Sequence, residues 1–466
     1  MSIETFLIDI GEFIIRLAND RLFLAHFLRN WGWAFFVWPF MWMAHMIFVY
    51  YRIADNRSKW KWILLAIDVP KDNEQGPRAV ENIFAQLAGA HASQDIEEIH
   101  FGGETQKWFS FEIVSIEGYV QFLIWTEKAY RNLIEASIYA QYPDAEITEV
   151  EDYTTGVPDT FPNDEWDVWG ADFKLVKQQH YPIRSHIEYE DSMSKVYHDP
   201  MTALIETMSR MGPGEQLWMQ ILIKPIGIKW KEAGYELVAD LAGKPKKQVK
   251  SMMSKAGSIP GQIFDDVMKH GFHLGGAFES EKKDEMPSML LHLTPGEKVV
   301  LEGIERKLSK IGFSCKIRIL YVGKKGYFKK SNAVQAIVGS IKQFNTENMN
   351  AIIPDMAKTA VTAHYVFKDQ RKNWRKNRMM RWYKKRSHWA GTREFVLNTE
   401  ELATIWHFPV THEGRAGAPM LSQTKAKKSE APSYLPTENE NPFKSSGQEA
   451  ASPTSASGDA PSNLPT

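Results

Sequence analysis

Twenty-one consecutive residues, Trp31 to Tyr51 in WGWAFFVWPFMWMAHMIFVYY, carry no charge, and this run constrains everything that follows it. At about 1.5 Å per helical residue it reaches about 30 Å, the thickness of a bilayer's hydrocarbon core. Trp31 and Trp33 at one end and Tyr50 and Tyr51 at the other suit the two interfacial aromatic belts, with Trp38 and Trp42 between them. Pro39 interrupts one backbone hydrogen bond, a cost that membrane helices tolerate. A helix buried in a globular core seldom runs so long without a charge, and a cleaved signal peptide is shorter and begins sooner. The pattern predicts a transmembrane helix over 31–52. Residues 1–30 alternate apolar groups with Glu12, Arg16, Asp20 and Arg21, as an amphipathic segment on the membrane surface would. Arg52, Arg57, Lys59 and Lys61 follow the span, opposed only by Asp55. That bias predicts a single-pass protein of the inner membrane with its body in the cytoplasm.

The chain has 466 residues and a formal net charge of −1, so charge can matter only where it clusters. Its single cysteine, Cys315, allows no intrachain disulfide.

Behind the span the periodicity predicts an α+β body. KWILLAIDV (61–69) reads as a buried strand, and Val80, Ile83, Phe84 and Leu87 as a helix. Phe109–Ile113 and Val120–Ile124 alternate around Glu117-Gly118, as a hairpin does. Leu133, Ile134 and Ile138 mark a second helix, and Ile147 and Val150 a last strand. The order β-α-β-β-α-β over 60–153 is that of a ferredoxin-like unit.

A second α+β unit is expected over 154–367, after a loop at 154–170 and with an insertion at 225–290. Asp199-Pro200 starts a helix, and Leu217–Ile223 alternate as a strand. Thr294–Glu297 (TPGE) forms a capping box, Cys315–Val322 a strand, and Val334–Phe344 a helix. From 411 to 466 the Ser/Pro/Ala-rich composition predicts a disordered tail.

Sites for chemistry are hard to find. There is no GxxxxGK[ST], no GxGxxG after a strand, no HExxH, no CxxC and no EF-hand loop. The sequence therefore nominates no catalytic, cofactor-binding or metal-ligating residue, and the chain reads as a binding protein rather than an enzyme. VGKKGYFKKS (322–331) reads as a strand-to-helix turn with solvated lysines.

One cluster stands out. In KDQRKNWRKNRMMRWYKKR (368–386), ten of nineteen residues are Lys or Arg, opposed only by Asp369 and interleaved with aromatics. Arg371, Arg375, Arg378, Arg381, Trp382 and Lys385 are the candidates for gripping nucleic acid over 368–389, or anionic membrane lipid. A solvated basic helix packed on the body fits the same residues.

LNTEELATIWHFP (397–409) resembles the segment that precedes the ATPase domain in membrane-anchored relatives of type IV secretion and conjugative coupling proteins. Those are FtsK/HerA-like DNA translocases, and the resemblance extends to forms from candidate-phylum bacteria. IYAQYPDAEITEVEDY (138–153) and KQFNTENMNAIIPD (342–355) resemble the same N-terminal region. The Walker motifs that follow it in those relatives do not occur here. The resemblance implies a non-catalytic scaffold or adaptor for a DNA-translocating ATPase supplied in trans. On that reading Glu401, Leu402, Trp406 and Phe408, within the 368–410 segment, would dock the partner.

Overall fold

The computed structural model describes residues 21–70, 73, 75–189, 199–242, 293–363, 365–410 and 427–428. The uncharged run lies within α1, a continuous 38-residue helix from Arg21 to Ser58. The boundary expected at residue 30 is absent, because residues 21–30 extend the same helix. The rest of the expected amphipathic segment, and the expected tail, lie outside the described residues. One stretch of α1, Asn30–Ser58, is long and apolar enough to cross a membrane, and only 7% of its apolar window is buried. A helix serving as a globular core would be covered by its own protein, so that alternative is set aside.

The body is built on one antiparallel sheet. Its strands are β1 (Trp62–Asp68), β2 (Phe109–Ile116), β3 (Tyr119–Glu127), β4 (Glu146–Glu149), β5 (Trp166–Leu175), β6 (Glu215–Pro225), β7 (Gly312–Lys324), β8 (Ile352–Pro354) and β9 (Phe395–Asn398). Spatially they run β4-β1-β3-β2-β6-β7-β5-β8, and β9 pairs with β7 end to end with β5. The first half reads β4-β1-β3-β2 and the second β8-β5-β7-β6, the same order mirrored across the β2–β6 junction. The two expected units thus share one sheet: Phe109 to Ile116 pair with Ile223 to Gln216 along the whole of β2. Trp166–Leu175, partly expected as loop, is the strand β5. Its Trp169, Ala171 and Phe173 are buried, and the loop reading failed because Gly170 and two aspartates, Asp167 and Asp172, lie in the same stretch.

Helices α2 (Pro77–Leu87), α3 (Arg131–Tyr139), α4 (Pro200–Ser209) and α7 (Lys330–Lys342) cover one face. Asp199 caps α4 through the Met201 N–H. The expected capping box, Thr294 with Glu297, opens α6 (Pro295–Ser309). Within the expected insertion, α5 (Trp230–Leu241) packs on α6, with Gly234 against Leu308; residues 243–292 lie outside the described ones.

The opposite face carries a buried polar row. Glu112 on β2, Gln220 on β6, Arg318 on β7 and Asp172 on β5 are successive cross-strand partners, all fully buried. Helix α8 (Lys368–Lys384) lies over this row. Just past its end, Arg386 donates from Nε to Glu112 Oε1 at 2.9 Å, while Tyr153 Oη donates to Glu112 Oε2 at 2.9 Å. Arg318 Nε reaches Asp172 Oδ1 at 2.8 Å. Buried charges are stable only when each is matched and hydrogen-bonded, and here each is.

Where α1 meets the sheet, aromatic rings take over. Trp62 stacks on Trp125 at 3.7 Å between centroids, Trp108 meets Trp389 edge-on, and the Arg57 guanidinium sits 3.7 Å over Trp389. Trp108 Nε1 donates to the Arg386 carbonyl at 2.8 Å, so the end of α1 is tied through these rings to the polar row.

Candidate polyanion-binding surface

Helix α8 has a buried side and an open side, set by spacing. Lys376, Met379, Met380 and Tyr383 recur at helical intervals and are buried. Arg371, Trp374, Arg378, Arg381 and Lys385 recur at alternating steps of three and four on the other side. Of these, Arg371, Trp374, Arg381 and Lys385 are exposed, and Arg378 is half-buried. The stripe spans about 21 Å at 1.5 Å per residue. Four of the six basic-segment candidates therefore share one solvent-facing ridge.

The other two do not. Arg375 donates to the carbonyls of Ala360, Thr362 and Ala357, so it closes the loop before α8. Trp382 packs on the core and lies 4.6 Å from the Arg378 guanidinium, which also stacks on Trp374 at 4.1 Å. The alternation of Arg and Trp that suggested base stacking is used largely to fix Arg378.

The start of α8 meets a second basic element, the turn from Lys324 to Lys330 between β7 and α7. Lys324, Lys325 and Lys329 are exposed there, beside the exposed ring of Tyr327. Partial burial, then the charges of Lys372 and Lys376, lower the pKa of Lys330, even though Asp167 opposes them. Burial and the neighbouring Arg375 likewise lower Arg378. Lys376 itself is paired with Asp167. The neighbouring cations place Lys330 and Arg378 in a locally positive field, which an anion relieves. The sequence displayed both lysine-rich stretches, but residues 332–367 separate them and nothing in the pattern joins them.

The lysine turn lies away from α1, whereas the other end of the ridge, at Lys385, adjoins Arg386, whose carbonyl is held by Trp108 beside Arg57 at the end of α1. Cys315 pairs with Ile223 and Ile223 with Phe109, at the end of the sheet where β1 begins. Lys324 is nine residues further along β7, about 30 Å at 3.3 Å per residue.

The remaining candidates fall in two groups. Trp31, Trp38, Trp42, Tyr50 and Tyr51 project from α1 uncovered, as a span requires; the Trp33 side chain lies outside the described ones. Glu401, Leu402, Trp406 and Phe408 are all buried, which corrects the docking expectation. They belong to α9 (Thr399–Ile405) and the turn after it. Asn398 and Glu401 form a reciprocal capping box, and Glu401 Oε2 pairs with Lys307 Nζ at 2.9 Å. The Trp406 ring meets Phe111 at 4.8 Å and Phe122 at 5.6 Å, and Phe408 meets Tyr142 at 5.0 Å. A helix of this length needs a surface to pack on, and the chain's own first half supplies it.

A cavity of about 520 Å³ opens beside α6 and α9, but its charged lining is largely spent in Lys307–Glu401 and Arg306–Glu400 pairs. Among the described residues no group of three His, Cys, Asp or Glu side chains is placed to hold a metal.

No curated protein matches the chain. Residues 58–413, from the end of α1 through the packed HFP segment, match the family model described as Domain of unknown function (DUF8128), and the chain belongs to that family.

Proposed function

We propose that the chain is a membrane-anchored adaptor that holds nucleic acid against its body and transforms nothing itself. The α8 ridge and the Lys324–Lys330 turn form the grip. The observation that carries this reading is that Lys330, at the end of the lysine turn, lies beside Lys372 and Lys376 at the start of α8, the helix whose outer side carries the ridge. The turn's distance from the span favours a partner in the aqueous phase over membrane lipid. The basic residues following α1 favour that phase being the cytoplasm. We read the two mirrored halves as ferredoxin-like units joined at their β2 and β6 edges. The resemblance to the anchoring region of type IV secretion coupling proteins supports DNA as the cargo, with the translocating ATPase a separate chain.

Detergent-solubilised full-length protein and a fluorescein-labelled DNA duplex test the reading by anisotropy across a salt series. Affinity is expected to fall steeply with salt. The combined variant Lys329→Glu, Arg381→Glu and Lys385→Glu is expected to weaken binding about tenfold or more and to flatten the salt slope by about three. Undetectable binding, or binding indifferent to salt and to these reversals, refutes it.

A further inference from the structure

Between α2 and β2 the chain leaves the sheet and folds back along α1. His100 Nδ1 lies 3.0 Å from His45 Nε2, and the Phe101 ring lies 6.3 Å from Phe48. Arg52 Nε donates to the Phe101 carbonyl at 2.6 Å, and Asn56 Nδ2 to the Gly102 carbonyl at 3.1 Å. Gly103 adopts φ +68° and lies so close to the Arg52 carbonyl that a Cβ could not fit. Ile99 and Glu104 place their N–H groups on the carbonyls of Asp95 and Glu98.

Depth follows from helix geometry. Arg52 is the first charged residue after the uncharged run. Phe48 and His45 lie four and seven residues before it, about 6 Å and about 10 Å towards the span. The loop therefore sits at the level of the span's last two turns. Phe101 at that level is 61% exposed, and Ile96, five residues before it in the same loop, is 78% exposed.

We propose that this loop is a second membrane contact, in which Ile96 and Phe101 enter the leaflet beside α1. The proposal rests on reading α1 as a membrane span. Two features suit the loop to that depth. Arg52 and Asn56 already satisfy carbonyls that would otherwise face the apolar boundary, where an unmet polar group is costly. The outward rings and branches match the depth of interfacial elements, about 5–10 Å. Asp95, Glu97 and Glu98 give the loop no attraction for anionic headgroups, so its partner is the apolar part of the leaflet, irrespective of headgroup charge. Together with α1 it would hold the sheet at a fixed tilt to the membrane.

Single cysteines at Ile96→Cys and Phe101→Cys test this, with Met43→Cys in the span and Tyr119→Cys at the far hairpin as references. Cys315 is buried, so a nitroxide label goes to the added thiol. The full chain is reconstituted in phosphatidylcholine vesicles, with and without phosphatidylglycerol, and collision with oxygen is compared with collision with a water-soluble nickel chelate. Labels at 96 and 101 are expected to favour oxygen as the label at 43 does, in both lipids, while the label at 119 favours nickel. If 96 and 101 behave like 119 while 43 reads lipid, the span stands and the loop contact is overturned. If 43 also reads water, the membrane reading falls and the proposal with it.

Discussion

Replacing Arg386 by Met removes the cation that the polar row is built around. Glu112 is fully buried and accepts from four side chains: Ser110 Oγ at 2.6 Å, Gln220 Nε2 at 3.0 Å, Tyr153 Oη at 2.9 Å, and Arg386 through Nε at 2.9 Å and Nη2 at 3.2 Å. Three of the donor side chains survive the change, but the counter-charge does not. Asp152, which bridges the same guanidinium, is partly exposed and recovers some water. Arg386 also holds φ +45°, a strained conformation for a side chain with a Cβ, and the network offsets that strain. Leaving one partner of a buried pair uncompensated costs about 3–5 kcal/mol. Thermal unfolding of the solubilised chain, followed by tryptophan fluorescence, should show a midpoint about 6–10 °C lower at about 2 °C per kcal/mol. Adding Glu112→Gln removes the stranded charge and should restore about half of the loss. A single variant within about 1 kcal/mol of the parent, or a double variant no better than the single, refutes the view that charge matching holds α8 down.

Two buried lysines should behave oppositely. Lys307→Met strands Glu401 and should cost about 3–5 kcal/mol, whereas Lys316, whose pKa burial and then Arg318 lower to about 8, donates to the Ala390 carbonyl and should tolerate Met with little loss or a gain; urea unfolding separates the two. Trp406→Ala should cost about 3–5 kcal/mol in the same assay, since its ring fills the space between Phe84, Phe111 and Phe122. Acid should destabilise the body. Burial alone raises Asp152 and Asp199, but Arg386 and His407 with backbone N–H donors outweigh it, and both carboxyls lie below their usual range. Their contribution is complete above the unfolded carboxylate pKa, near 4, and is lost as pH falls through the lower folded values. Midpoints should therefore hold from about pH 7 to 5 and drop steeply below about 4.

Much of the body was legible because its strands and helices obey period two and period 3.6. The Thr294–Glu297 capping box, the Asp199-Pro200 helix start and the Glu117-Gly118 turn were visible as local chemistry. β5 was not, because a strand threaded through the polar row must carry Asp172, and aspartates beside a glycine look like loop. The joining of the halves at β2 and β6 is a long-range pairing that no local pattern encodes. For the site, the α8 ridge could be read from its spacing, although its internal tasks at Arg375 and Trp382 could not. The lysine turn gained meaning only once β7 placed it beside α8. LNTEELATIWHFP misled because a short amphipathic helix looks the same whether its partner is another protein or its own core.

Vesicle co-flotation tests the central claim most directly. Reconstituted full-length chain should carry labelled DNA duplex to the top of a density gradient, and Lys329→Glu/Arg381→Glu/Lys385→Glu should float equally well with the DNA left at the bottom. A triple variant that lifts as much DNA as the parent, or a parent that stays at the bottom with its vesicles above it, contradicts the account.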